Sequence, residues 1–235
     1  MKKIAFIGAG SIGFTRNLVA DILSVRELRD IEIAFTDINA SNLAMVTQLV
    51  QRDIDSNGLD IKILSTPDRK EAFKNADYIV NTVRIGGLEG FEKDIEIPLR
   101  YGIDQCVGDT LCAGGIFYGQ RGIHAILEFC ADIRKYAKPN AILFNYANPN
   151  AMVTWACIKY GGVYTIGLCH GVTNGVNDIA EVLGVEADQL DIICAGINHQ
   201  TWYISVKYNG KDLTHALLKK FKASRKFREK EKVRL

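Results

Sequence analysis

Three glycines near the start of the chain are spaced as Gly8-x-Gly10-x-x-Gly13, directly after the apolar run Ile4-Ala5-Phe6-Ile7. In this pattern the first glycine permits a tight turn and the second lets the backbone approach a pyrophosphate. The third lets the following helix pack close to its strand. The free N–H groups at the helix start then face the phosphates. A second apolar run, 31–36, ends at Asp37, where a carboxylate accepts bonds from the hydroxyls of an adenosine ribose. Gly8, Gly10, Gly13 and Asp37 are therefore the candidate residues for holding a dinucleotide. The acid at position 37 favours NAD over NADP, whose 2′-phosphate it would repel. Arg29 and Arg52, the cations nearest to it in sequence, are not adjacent.

Ligands of open α/β sheets bind beyond the carboxyl ends of the strands. Asn81 and Arg84, Asn145 and Asn148, and Cys169-His170 all follow apolar runs, so they crowd one rim. Asn145-x-x-Asn148 offers amides suited to sugar hydroxyls or a nicotinamide ribose. It also reads as a polar turn closed by Asn148-Pro149. Cys169 precedes a helical pattern, and a thiol at a helix N-terminus has its thiolate favoured, which suits metal ligation. A second pair, Asn198-His199, ends a later strand. One Cys and one His leave open positions for water and substrate, as Lewis-acid catalysis needs. From spacing alone the plainer reading is the stronger, a core cysteine and a hydrogen-bonded histidine, with no Cys-x-x-Cys pattern to help. Residues 160–206 contain no Lys or Arg. Unless Arg84, Arg100 or Arg121 reach over, the expected substrate is uncharged.

The elements that must position these residues alternate along the chain. Strands are expected at 31–36, 61–64, 78–83, 141–146 and 164–168 after the first apolar run. Helices follow the glycine turn, with Phe14, Leu18, Ile22 and Leu23 on one face, and occupy 68–75, 119–136 and 151–160. Another starts near Thr173. Such alternation predicts a doubly wound parallel Rossmann sheet. The character changes near residue 188. Strands at 190–196 and 202–208 turn at Asn209-Gly210, and a basic helix runs to the end. This places a dinucleotide-binding domain at 1–188 and, at 189–235, the start of a second α+β domain. Apolar surface on 190–208 is expected to lie exposed.

Composition narrows the function classes. With 48% hydrophobic and 24% charged residues and a net charge of +2, the chain is an ordinary globular protein. It shows no overall bias toward nucleic acid or membrane. Nine Lys/Arg against Glu229 and Glu231 in residues 219–235 read as a solvated helix face. No secretory core and no membrane-length apolar stretch is found. Six irregularly spaced cysteines, Cys106 among them, fit reduced cytoplasmic thiols that act mostly as small buried hydrophobes.

The glycine motif near Met1, Asn148-Pro149, Gly167-Leu168-Cys169-His170-Gly171 and Ala195-Gly196-Ile197-Asn198-His199 together resemble glycoside hydrolase family 4. Its members are NAD- and Mn²⁺-dependent glycosidases that depart from the two-carboxylate scheme. Gly108-Asp109-Thr110-Leu111 with Gly114-Gly115-Ile116 is most similar to the α-galactosidase (melibiase) branch. The resemblance runs through all 235 residues. It implies a second domain like that of lactate and malate dehydrogenases. It also implies metal ligation by Cys169 and His199, sugar binding by Asn148, His170 at the position of the family's acid, and NAD held by Gly8, Gly10, Gly13 and Asp37. In the implied mechanism hydride leaves C3 of the sugar, the C2 proton is then removed, the aglycone departs, water adds and hydride returns. The partner is a small α-glycoside, and the family implies a homo-oligomer, dimer or tetramer. Family members are much longer, so the segment carrying the base is expected beyond these residues.

Alternative readings remain at this stage. Cys-His-Gly is similar to the α-glucosidase branch, whereas the α-galactosidases usually read Cys-His-Ser. A 2-hydroxy-acid dehydrogenase would share the sheet but needs an Arg on the helix after the sixth strand, and 167–178 has only Asp178. A non-catalytic NAD-binding fragment is the third.

Overall fold

The computed structural model describes residues 1–105 and 107–232. Cys106 and the end of the basic run, including Arg234, lie outside the described residues. The chain packs as two compact units, residues 1–168 and 169–235. Residues 169–188, which the sequence-based boundary at 188/189 assigns to the first domain, group by packing with the second unit.

The first unit runs β1 (Lys2–Ile7), α1 (Ile12–Ser24), β2 (Ile31–Thr36), α2 (Ala40–Ser56), β3 (Lys62–Ser65), α3 (Arg69–Phe73) and β4 (Tyr78–Asn81). It continues through α4 (Gly87–Arg100), α5 (Ala113–Tyr136), β5 (Ile142–Asn145), α6 (Asn150–Ala156) and β6 (Tyr164–Gly167). The strands form one parallel sheet in the order β3-β2-β1-β4-β5-β6, as the alternating pattern predicts. The order reverses between β1 and β4, which opens a crevice at their carboxyl ends. Register makes that rim level: Ile7 pairs with Thr36 and Asn81, Asn81 with Asn145, and Asn145 with Gly167.

Strands covered on both faces need apolar residues at every position rather than at alternate ones. In β1 and β2 the side chains sort by parity. Ala5, Ile7 and Ala34 join Ile79 and Leu143 in one core, which also takes in Ile126, Cys130 and Ile133 of α5. Ile4, Phe6, Ile33 and Phe35 pack on the other side with residues of α1 and α2. The buried face of α1 is Thr15, Val19 and Leu23, with Leu18 and Ile22 at its margin; the expected Phe14 is exposed instead. The Thr15 hydroxyl donates to Ala9 O at 3.0 Å, so a polar residue can face the sheet and the helix rolls by one position.

Helix α4 is the element the sequence does not announce. It contains Pro98, and its buried positions are Asp94 and Pro98. It packs against α5, where a glycine lets the backbones meet: a Cβ on Gly114 would stand 2.5 Å from Asp94 O. Helix α5 consequently starts at Ala113, earlier than expected. Helix α6 ends at Ala156 and passes into a π-helical turn, Cys157–Gly161. There Cys157 shares a hydrogen bond with Cys130 of α5, and both thiols are buried and free.

The second unit comprises α7 (His170–Leu183), the antiparallel strands β7 (Leu190–Ile197), β8 (Gln200–Tyr208) and β9 (Lys211–Asp212), and α8 (Thr214–Ala223) and α9 (Arg225–Lys232). The expected single basic helix is thus broken at Ser224. Ile179 of α7, Val206 of β8 and Leu217 of α8 form its core. The other face of the hairpin leaves Ile193, Ile197, Trp202 and Ile204 each more than half exposed, 51–59%. The expected bare apolar surface is therefore present on this unit.

At the amino end of the main sheet, Asp77 accepts bonds from Lys3 N (2.9 Å), Lys2 Nζ (3.0 Å) and Lys138 Nζ (2.7 Å). Burial by itself would raise its pKa, but the Lys138, Lys3 and Lys2 bonds outweigh it and bring the value down to about 2. The folded value lies below the ordinary 3.8. The stabilisation is therefore complete above about pH 4 and is lost as pH falls toward 2. Asp77→Asn is expected to destabilise the fold by about 1–2 kcal/mol at pH 7, with both lysines partly screened by solvent. Urea melts between pH 7 and 2 check this: the difference from wild type should shrink across pH 4–2, and a pH-independent difference would count against it.

Candidate functional site

The glycine turn between β1 and α1 is closed by its surroundings. Gly8 has φ +82°, and a Cβ on it would stand 2.9 Å from Val83 N, so the chain leaving β4 packs directly against it. Thr82 Oγ1 straps the two together, donating to Ile7 O (3.2 Å) and Gly8 O (3.1 Å). A Cβ on Gly10 would meet Asp37 Oδ2 at 2.8 Å. Gly13 has nothing within 4 Å of its Cβ position, so it keeps the helix start open to a ligand and does not serve close helix–strand packing as expected.

The amides of this turn are mostly committed. Gly8 N and Ala9 N donate to Thr36 O (3.1 Å each), Gly10 N to Asp37 Oδ2 (2.8 Å) and Ser11 N to Gly8 O (3.3 Å). The Ser11 side chain does not cap the helix. Ile12 N and Gly13 N, in the first turn of α1, remain available for an anion. Asp37 Oδ1 accepts from Asn39 N (2.8 Å), so the carboxylate is fixed at both oxygens while half-buried. Gly8, Gly10, Ser11, Asp37 and Asn39 line a cleft of about 650 Å³ together with Asn42, Thr82 and Arg84. Arg69 and Lys70 of α3 line it too, cations that sequence distance from Asp37 concealed. The cradle and the anchored acid fit the adenosine and pyrophosphate parts of a dinucleotide.

The asparagines divide. Asn81 and Asn145 are fully buried, and Asn81 Nδ2 donates to Asn145 Oδ1 at 2.8 Å. Asn145 also bonds Ala147 O and Thr154 Oγ1 (3.2 Å each). Asn145 is thus part of the frame and does not reach a ligand, contrary to the paired-amide expectation. Asn148 is half-buried, and its Nδ2 donates to Asp109 Oδ2 at 3.2 Å. Asp109 is the site residue that reasoning from strand ends misses, since it lies in the loop between α4 and α5. An amide beside a carboxylate offers donors and acceptors to neutral hydroxyls. Near them burial pushes the Tyr118 phenol up, with Asp109 adding to the rise against Arg84 and Arg121.

The three candidate arginines also divide. Arg121 holds Asp94 with two bonds, 2.9 and 2.6 Å, and donates to Ile85 O. Arg100 lies by Glu96 at 3.7 Å on an exposed face. Arg84 lies over the rings of Phe91 and Tyr118, its guanidinium carbon 4.4 and 4.9 Å from the ring centroids.

In the second unit Cys169 is the N-cap of α7 and His170 its first residue, three positions ahead of the expected helix start. Helix α7 has 14 residues, so Cys169 stands at the start of a full-length helix. Asn198-His199 is the two-residue tip of the β7–β8 hairpin. The Tyr203 hydroxyl donates to Val172 O (3.1 Å) and Gly171 O (3.4 Å), pinning the hairpin to the first turn of α7. Burial raises the Tyr203 pKa, followed by Cys194, Asp178 and Cys169, which lie close by. Among the described residues no three His, Cys, Asp or Glu side chains gather as a metal site. The thiol and imidazole suit a borderline divalent metal in type, and as two donors they leave positions to be completed.

A family model described as family 4 glycosyl hydrolase matches residues 3–185, and one for the C-terminal domain of that family matches residues 194–235. The chain is 55% identical over 234 residues to an α-galactosidase of Rhizobium meliloti (strain 1021), covering 99% of the chain and 48% of that protein. It therefore spans about half the length of this curated relative. The 6-phospho-β-glucosidase of Thermotoga maritima, solved with manganese, NAD⁺ and glucose-6-phosphate, superimposes with a TM-score of 0.83 at 29% identity, over 94% of this chain and 53% of that one. Malate dehydrogenase of Plasmodium falciparum gives a TM-score of 0.64 at 17% identity, over 93% and 63%, which shows a shared fold alone.

Gly175 lies under the Tyr203 ring, and a methyl group there would overlap the phenol oxygen. Gly175→Ala is expected to destabilise the second unit by about 1–3 kcal/mol through overpacking. Tyr203→Phe, which keeps the ring and loses the two bonds, should cost less. Thermal denaturation of both variants checks this, and a Gly175→Ala protein as stable as wild type would show that the contact is not formed.

Proposed function

The chain belongs to glycosyl hydrolase family 4, and we propose that it forms the cofactor-holding half of an α-galactosidase dependent on NAD and a divalent metal such as Mn²⁺. The Asn148–Asp109 pair carries this reading, because it sets an amide and a carboxylate for neutral hydroxyls at the rim of the sheet that cradles the dinucleotide. The 55% identity to an α-galactosidase supports the sugar. Free thiols throughout the described cysteines suit a reducing, cytoplasmic setting.

When bound, NAD⁺ supplies a hydride acceptor for C3 of the sugar, and the metal supplies Lewis acidity toward the sugar oxygens. The protein's own part is positional. Ile12 N and Gly13 N face the phosphates, and Asp37 receives the adenosine ribose. Asn148 and Asp109 orient the sugar hydroxyls, and Cys169 and His199 donate to the metal. His170, exposed at the start of α7, stands ready to pass a proton to the departing glycosidic oxygen.

The test assays p-nitrophenyl α-galactoside and α-glucoside with NAD⁺, Mn²⁺ and a reductant, using this chain and a protein of the full family length. Galactoside cleavage without net NADH formation is expected. Preference for the glucoside would transfer the assignment to the branch that Cys-His-Gly resembles. This chain alone is expected to be slower by at least about 10²-fold, the usual contribution of a positioned base. Equal turnover would place the base within these 235 residues. In the longer protein Cys169→Ser and His199→Ala should weaken Mn²⁺ binding, and unaltered binding in both would remove the metal assignment.

Cofactor choice follows from Asp37. Its carboxylate is held in place by Gly10 N and Asn39 N, and it would meet a 2′-phosphate with like charge at short range. Lys70 in the same cleft softens the repulsion without sharing the position. NAD⁺ is expected to bind at least about tenfold more tightly than NADP⁺, a difference of roughly 1.4 kcal/mol. Competitive titration decides it, and equal or tighter NADP⁺ binding would overturn the assignment.

A further inference from the structure

We propose that Arg84 binds the pyrophosphate of the dinucleotide, a role that rests on the cofactor reading above. Four successive amides of the glycine turn, Gly8 to Ser11, are committed to protein acceptors. One of those acceptors is the Asp37 carboxylate, which adds negative charge beside the turn. The two amides left at the start of α1 are a thin supply of donors for a doubly charged pyrophosphate. The cleft needs a cation.

Three cationic side chains line it. Arg69 is taken by Asp132 at 2.6 Å. Lys70 is exposed on α3, in the segment that follows β3, two strands from β1 in the sheet. Arg84 follows the Thr82-Val83 segment that is strapped to Gly8, so it leaves the sheet beside the turn. Among the described residues no carboxylate lies within 4 Å of its guanidinium and no acceptor takes its N–H groups. Its guanidinium carbon lies over the rings of Phe91 and Tyr118. Rings attract the cation but cannot satisfy its N–H groups as an oxygen acceptor would. A planar cation held over two rings, with no acceptor on its N–H groups among the described residues, is a fork suited to phosphate oxygens.

Arg121 is the contrasting case and the support beneath. Its edge is saturated by Asp94 and Ile85 O, and it lies against Gly86 and Gly90, where a side chain at either position would crowd it. It therefore fixes the loop 84–87 from below and leaves the anion to Arg84.

The experiment measures calorimetric affinities of the full chain for NAD⁺, ADP-ribose, adenosine and galactose 6-phosphate, in wild type, Arg84→Met and Arg84→Lys. Methionine keeps an unbranched apolar stem over the rings and removes the charge. Arg84→Met is expected to weaken NAD⁺ and ADP-ribose by about 10–100-fold, the worth of a charge-assisted pair, with adenosine unchanged. Arg84→Lys should recover part of the loss. NAD⁺ affinity within about twofold of wild type would overturn the proposal. So would an equal loss for adenosine, which would mark a deformed cleft, or a loss confined to the sugar phosphate, which would make Arg84 a substrate residue. A wild-type chain that binds none of the nucleotides would instead overturn the cofactor reading itself, and this proposal with it.

Discussion

Five parallel strands of the first unit end at one level, and the site depends on that alignment. Ile7, Thr36, Asn81, Asn145 and Gly167 are mutual register partners across the sheet. A parallel ladder can hold such a line only if the polar groups at its end are satisfied. Here Asn81 and Asn145 bond each other, and Asn150 Nδ2 reaches Asn145 O (2.6 Å) and Leu168 O (3.1 Å). Thr82 covers the carbonyls of Ile7 and Gly8. The loops leave a surface already closed on itself.

The frame was legible because the central strands, buried on both faces, are rich in apolar residues, and strand-like segments alternate with helical patterns along the chain. What escaped was polar burial. Asp94 is 4% exposed, and its ion pair with Arg121 replaces the apolar stripe that would have announced α4. Asn145 looked like a ligand-facing amide, because a polar residue at a strand end reads the same whether it turns outward or bonds its neighbour. Arg84 was named as a candidate, but its place over the rings of Phe91 and Tyr118 depends on two helices whose approach no spacing encodes. Asp109 sits in a loop with no periodicity and was visible only within a family motif. The Cys169 and His199 motifs were readable. Their placement on a helix cap and a hairpin tip was not, since helix starts and turn positions are the least determined parts of a pattern.

Partly buried ion pairs such as Asp94–Arg121 seldom add much net stability, because the desolvation they require opposes their attraction. Their value here is positional. The pair fixes α4 against α5 and holds the 84–87 loop through Ile85 O, so a charged group far from the sheet core sets where a cleft residue stands. Tyr203 plays the same part in the second unit, where two bonds to the first turn of α7 set the hairpin against the helix that begins at Cys169.

Because Asn81, Asn145, Thr82 and Asn150 close the rim among themselves, residues 84, 109 and 148 can change without leaving a strand group unsatisfied. Folding and ligand choice are then written in separate sets of residues. A scaffold of this kind allows its loop residues to change while its sheet is kept. Relatives acting on a galactoside and on a phosphorylated glucoside share these strands, as such a division of labour allows.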